Sequence, residues 1–85
     1  MVCYVIPTPD PLQRATVEEL TRLLEADRIG VITIDPDSPA GSGFCELYEI
    51  TTRPAVIVTR DDGQLANSWV GELPPFSEVA YLVRS

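Results

Sequence analysis

Arg53-Pro54-Ala55-Val56-Ile57-Val58 is a proline followed by an unbroken apolar run. Such a run, from Pro54 to Arg60, reads as a strand. Proline is tolerated at its mouth, where no ladder hydrogen bond is lost. Asp61-Asp62-Gly63-Gln64 follows as a hairpin turn, because Asp-Gly suits a backbone that needs positive φ. Leu65 to Val70 then mixes polar and apolar residues, as an edge strand does, and Gly71 ends it.

Upstream, Val2 to Ile6 is apolar, rich in β-branched residues and bounded by Pro7, which predicts a short buried strand. Pro7-Thr8-Pro9-Asp10-Pro11 reads as a stiff loop, since its three prolines remove donors and extend the residues before them. Thr16-Val17-Glu18-Glu19 has the form of a capping box, which predicts a helix starting there and ending near Asp27. Val17, Leu20, Leu23 and Leu24 fall on one face of it, and Arg22 lies four residues after Glu18 on the outer side. Ile29 to Ile34 reads as a second strand, covered on both faces. Asp35 to Gly43 is a loop by composition, and Phe44, Leu47 and Tyr48 predict a short helix from about Gly43 to Glu49. Beyond the hairpin, Pro74 and Pro75 suit a helix start, and Phe76, Val79, Ala80 and Val83 form its apolar stripe.

The predicted order is β-α-β-α-β-β-α. A right-handed strand–helix–strand unit makes the first two strands parallel, and the hairpin adds two antiparallel strands on the other side. The expected fold is α/β, a four-stranded mixed sheet of order 2-1-3-4 with helices on both faces. Eighty-five residues are expected to form a single domain over 1–85, with one small core.

Thirteen acids against six arginines give a net charge of −7, with no lysine and no histidine. That balance disfavours nucleic acid and anionic membrane surfaces as partners. Without histidine the chain lacks the usual general base near neutral pH and the commonest metal ligand. The two cysteines, Cys3 and Cys45, are too far apart in sequence for a redox pair or zinc half-site. No apolar run approaches the ~20 residues of a membrane span. The expectation is a cytoplasmic protein with free thiols, no metal and no cofactor.

The chain resembles the thioredoxin-like superfamily in its minimal, glutaredoxin-sized form, and in particular small bacterial members without the redox motif. Val31-Ile32-Thr33-Ile34-Asp35 is similar to the strand that ends in Asp before a loop. Tyr48-Glu49-Ile50-Thr51-Thr52-Arg53-Pro54 matches a helix end followed by the family's cis-proline. Asp62-Gly63 matches the hairpin and Val70-Gly71 the end of the last strand. The resemblance implies a cis peptide before Pro54. It also places a Cys-x-x-Cys after the first strand, where this chain has Ile6-Pro7-Thr8-Pro9-Asp10-Pro11-Leu12. Dithiol exchange by the family mechanism needs that nucleophile, so no catalytic residue is assigned.

The resemblance and the residues together suggest a non-redox binding module. In the family, the backbone beside the cis-proline pairs with an extended segment of a protein or peptide partner. Here Thr52, Arg53 and Pro54 would offer that edge, and the loop carrying Pro9 and Asp10 would form the opposite wall. Arg53-Pro54 is also similar to the arsenate-reductase-like branch, where Arg-Pro helps hold an oxyanion. The catalytic cysteine and extra helical region of that branch are missing, so the plainer expectation is a surface ion pair with Asp10 or a nearby acid. Two alternatives stand beside the binding module. Cys45, expected near a helix start, could carry thiol–disulfide exchange of a glutaredoxin-like kind. Trp69, on the edge strand, could anchor an assembly such as a homodimer. Cys3 is expected to be a small buried hydrophobe. Asp35, Asp37, Asp61 and Asp62 do not meet calcium-loop spacing and read as solvated loop acids.

Overall fold

The computed structural model describes residues 1–84. Its elements are β1 (Val2–Ile6), α1 (Pro11–Ala26), β2 (Val31–Thr33), α2 (Pro39–Leu47), β3 (Ala55–Thr59), β4 (Leu65–Val70) and α3 (Phe76–Arg84). The sheet order is β2-β1-β3-β4, with β1 parallel to β2 and antiparallel to β3, and β3 antiparallel to β4. This is the expected mixed α/β topology.

β3 is the hub. All five of its residues are buried, and it pairs on both sides. Val56 and Val58 join Cys3 and Val5 on one face, under Val17, Leu20 and Leu24 of α1 and Val79 and Ala80 of α3. The other face carries Ala55 and Ile57, with Tyr4 opposite Ile57. There α2 packs through aromatic rings, Tyr4 against Phe44 at 4.7 Å and Phe44 against Tyr48 at 4.8 Å. The alternation of a strand puts successive side chains on opposite faces, so one apolar run feeds both layers.

Both of the first two helices begin earlier than the sequence pattern predicts. α1 starts at Pro11, not Thr16: Asp10 is its N-cap, and its side chain accepts from the Leu12 amide. α2 starts at Pro39, not Gly43, with Ser38 as N-cap accepting from the Gly41 amide. Proline at the first helical position loses no hydrogen bond and has its φ already set. The Asp-Pro and Ser-Pro pairs are therefore helix starts inside stretches that read as loops. Thr16 lies exposed within α1, and Arg22 pairs with Glu19 rather than Glu18.

Both helices also end alike. Arg28 has φ 64°, with its amide donating to the Glu25 carbonyl and the next amide, of Ile29, donating to Leu24. Glu49 has φ 56°, and the amides of Glu49 and Ile50 donate to Glu46 and Cys45. A left-handed residue with this hydrogen-bond pair closes a helix and turns the chain sharply away.

β2 departs from expectation. It is three residues long rather than Ile29 to Ile34, and it lies at the edge with Ile32 47% exposed. Its nearly continuous apolar pattern, broken only by Gly30 and Thr33, suggested cover on both faces, but α2 sits over β1 through Tyr4 and leaves Ile32 uncovered. β4 is the other edge. Its Ser68 amide donates to the Asn67 side chain at 2.8 Å.

Two substitutions test this description. Arg28→Gly relieves the left-handed cost of a side chain, and chemical denaturation is expected to show a gain of about 0.5–1 kcal/mol. Gly41→Ala should do the opposite. A Cβ there would lie 1.7 Å from the Asp35 carbonyl oxygen, so α2 must shift; a loss of about 1–3 kcal/mol is expected in the same measurement.

Candidate functional site

The strand directions bring the C-terminal ends of β1, β2 and β4 together with the start of β3. α1 begins at this end of the sheet, the Asp35–Ser38 loop leaves from it, and the Arg53–Pro54 peptide, which is cis, enters β3 there. Pro54 is buried, and its carbonyl accepts from the Gly71 amide at 2.9 Å. Gly71 has φ 82°, and a Cβ on it would come within 2.8 Å of the Thr52 hydroxyl. Glycine is needed here for both backbone conformation and space.

The Asp35–Ser38 loop is held by its own side chains. Asp35 Oδ1 accepts from the Asp37 amide at 3.0 Å, and Ser38 Oγ donates to the Asp35 carbonyl at 2.8 Å. Asp37 is thereby presented to Arg53, whose Nη2 donates to Asp37 Oδ1 at 3.0 Å. The ion pair is exposed, with side-chain accessibilities of 36% for Arg53 and 77% for Asp37, so its net contribution is small, about 0–1 kcal/mol.

Arg53 stands between two hollows. One is a groove of about 800 Å³, floored by Val5 and Val17, with Pro7, Thr8 and Pro9 on one wall and Asp35 and Asp37 on another. The second is a cleft of about 310 Å³ between the last turn of α2 and the 50–53 segment, lined by Ser42, Cys45, Ile50 and Thr52. Arg53 and Pro36 line both. Among the described residues, the backbone amides and carbonyls of Thr51, Thr52 and Arg53 make no hydrogen bond, and all three residues are exposed.

The residues singled out from the sequence are therefore divided. Pro9 and Arg53 face one groove, Thr52 lines the adjoining cleft, and Pro54 lies buried behind them. Asp10 does not meet Arg53; its carboxylate is taken by the start of α1. Trp69 is elsewhere, half-buried against the core and bordering a shallow hollow with Tyr81 and Leu82. The surface ion pair expected for Arg53 is present, and its nearby acid is Asp37, which the sequence marked only as a solvated loop residue. Its signal was Asp35-Pro36-Asp37-Ser38-Pro39, a side-chain-bonded turn running into a capped helix.

Neither cysteine takes a nucleophile's place in the loop after β1. Cys3 is buried in the core, and burial pushes its thiol up to about 11. Cys45 lies in the last turn of α2, not near its start, because the helix begins at Pro39. No group of three or more Cys, Asp or Glu side chains among the described residues is placed to hold a metal ion. No described helix is long and apolar enough to cross a membrane.

No protein-family model matches the sequence, and no curated protein matches it. Among solved structures, thioredoxin 1 from Thermosipho africanus is similar over 99% of this chain and 91% of its own, with a TM-score of 0.72. The chain has a thioredoxin-like fold. At 14% identity the likeness is one of fold alone. In this thioredoxin-like chain, Pro7 to Leu12 supplies prolines, a capping aspartate and an exposed leucine where the resemblance would place two thiols.

The buried thiol gives a test. One cysteine should react with a small thiol reagent in the native protein and two after unfolding. The neutral Cys3 thiol stabilises the fold fully below the unfolded value of 9.0, and this contribution is lost as pH rises through about 11. Cys3→Val should flatten that fall in denaturation midpoints measured across the same range.

Proposed function

We propose that this protein is a non-redox binding module that takes an extended protein or peptide segment along Thr52 and Arg53, beside Pro54. The carrying observation is the unpaired backbone of Thr51 to Arg53, exposed between groove and cleft. Free amides and carbonyls in a row form a template for an added strand. Pro7, Thr8 and Pro9 support this reading, because they line the same groove as Arg53. Thiol chemistry is not required for such binding. The weak Arg53–Asp37 pair can open at low cost when a ligand competes for either group.

Main-chain recognition separates the backbone of Thr52 from its side chain. Thr52→Pro removes one amide and should weaken binding of an extended peptide by about 10-fold, the value of one hydrogen bond. Thr52→Ala should leave it unchanged. Isothermal titration calorimetry on both variants checks this, with circular dichroism confirming the fold. Equal binding by the two variants would refute main-chain pairing at this position.

A further inference from the structure

The groove continues beyond Arg53 along α1. Its helical wall is a stripe made by Arg14, Val17, Glu18, Thr21, Arg22 and Glu25. These residues recur three and four apart, so they share one face. From Arg14 to Glu25 the helix rises about 16 Å at about 1.5 Å per residue. That is the length of about five extended residues.

Arg14, Arg22 and Arg53 line this groove with Glu18, Glu25, Asp35 and Asp37, and two of the three arginines are already paired, Arg22 with a carboxylate outside the groove. Arg22 is engaged by Glu19, whose carboxyl is held below the usual range by the hydrogen bond from Arg22. Arg53 is engaged by Asp37. Glu18 and Glu25 make no ion pair among the described residues, and Asp35 uses its carboxylate on the Asp37 amide. Arg14 is the guanidinium of the groove without an ion pair among the described residues. Three carboxylates thus face one guanidinium, in a chain of net charge −7. The field attracts a cationic segment and repels an anionic one.

We infer that the α1 side of the groove holds the basic part of an extended partner segment. Apolar side chains of that segment lie against Pro7 and Pro9, and its Lys or Arg heads face Glu18, Glu25 and Asp35. Long basic side chains can cover an apolar floor with their stems while the charged head stays at the wet rim. This inference rests on the binding reading above, because the same segment runs on from Thr52 and Arg53.

The experiment uses three nine-residue peptides with alternating valines, the intervening positions being all Lys, all Gln or all Glu. Each is titrated into the ¹⁵N-labelled protein and followed by amide shifts. The Lys peptide should bind tightest, shift the Arg14–Glu25 and Asp35–Asp37 amides, and weaken with added salt. Glu18→Gln with Glu25→Gln should weaken it about five-fold, as two partly exposed ion pairs allow. Asp61→Asn with Glu78→Gln, the same charge change outside the groove, should leave it unaltered. Equal loss in both double variants would overturn the inference, since attraction would then be to net charge alone. Equal affinity for all three peptides with shifts confined to Thr51–Ala55 would overturn the basic preference and leave the strand-addition reading standing. Shifts along α1 from the Lys peptide alone, with Thr51–Ala55 silent, would support the basic groove and defeat strand addition. No shift with any peptide would overturn both.

Discussion

Burial of β3 on both faces is the constraint on which the remaining structure depends. Five consecutive residues, Ala55 to Thr59, lose contact with solvent while pairing with β1 and β4. Each buried valine or isoleucine side chain contributes about 1.5–3 kcal/mol of transfer free energy, as an upper estimate. A strand so placed demands cover above and below. α1 and α3 supply one layer, and α2 with its aromatic ladder supplies the other. The hairpin places β4 alongside, and the Tyr48 hydroxyl ties α2 to the turn by donating to the Gly63 carbonyl at 2.9 Å.

The helix ends decide what emerges at the mouth of that strand. Asp10-Pro11 and Ser38-Pro39 start α1 and α2 abruptly, so little chain is spent between sheet and helix. Glu49, in its left-handed conformation, turns the chain out of α2 and into Thr51–Arg53. That short segment finds no backbone partner before it enters β3. The exposed edge is thus a consequence of how α2 is closed, and Gly71 keeps the space in which Thr52 sits.

Chemistry and architecture are separable in this chain. The backbone at the start of β3 carries the cis Arg53–Pro54 peptide and the Pro54–Gly71 hydrogen bond, whereas the loop after β1 offers prolines and a capping carboxylate. Cys3 is committed to the core and Cys45 to the closing turn of α2. What remains at the surface is a guanidinium poised between two hollows, and a groove whose uncommitted charge is mainly negative.

The order of elements and the sheet topology could be read from the sequence because they follow from local pattern: an apolar run opened by Pro54, an Asp-Gly turn, and helical spacing in Val17, Leu20 and Leu24. The helix starts could not be placed from that pattern, since proline reads as a breaker unless the residue before it is seen to cap. Exposure of Ile32 was hidden for a similar reason, because hydrophobicity records what a strand can bury and not which helix arrives to cover it. Arg53 and Pro9, singled out through the family resemblance as opposite walls of one site, both line the larger groove. The pairing of Arg53 with Asp37 was not legible in the sequence, as sixteen residues separate them and only the folded loop brings them to 3.0 Å. Sequence alone determined which segments become strands and helices, through periodicity and turn chemistry. Tertiary structure alone decided which charges are spent on one another and which backbone groups stay unpaired, because both depend on distances between segments remote in the chain.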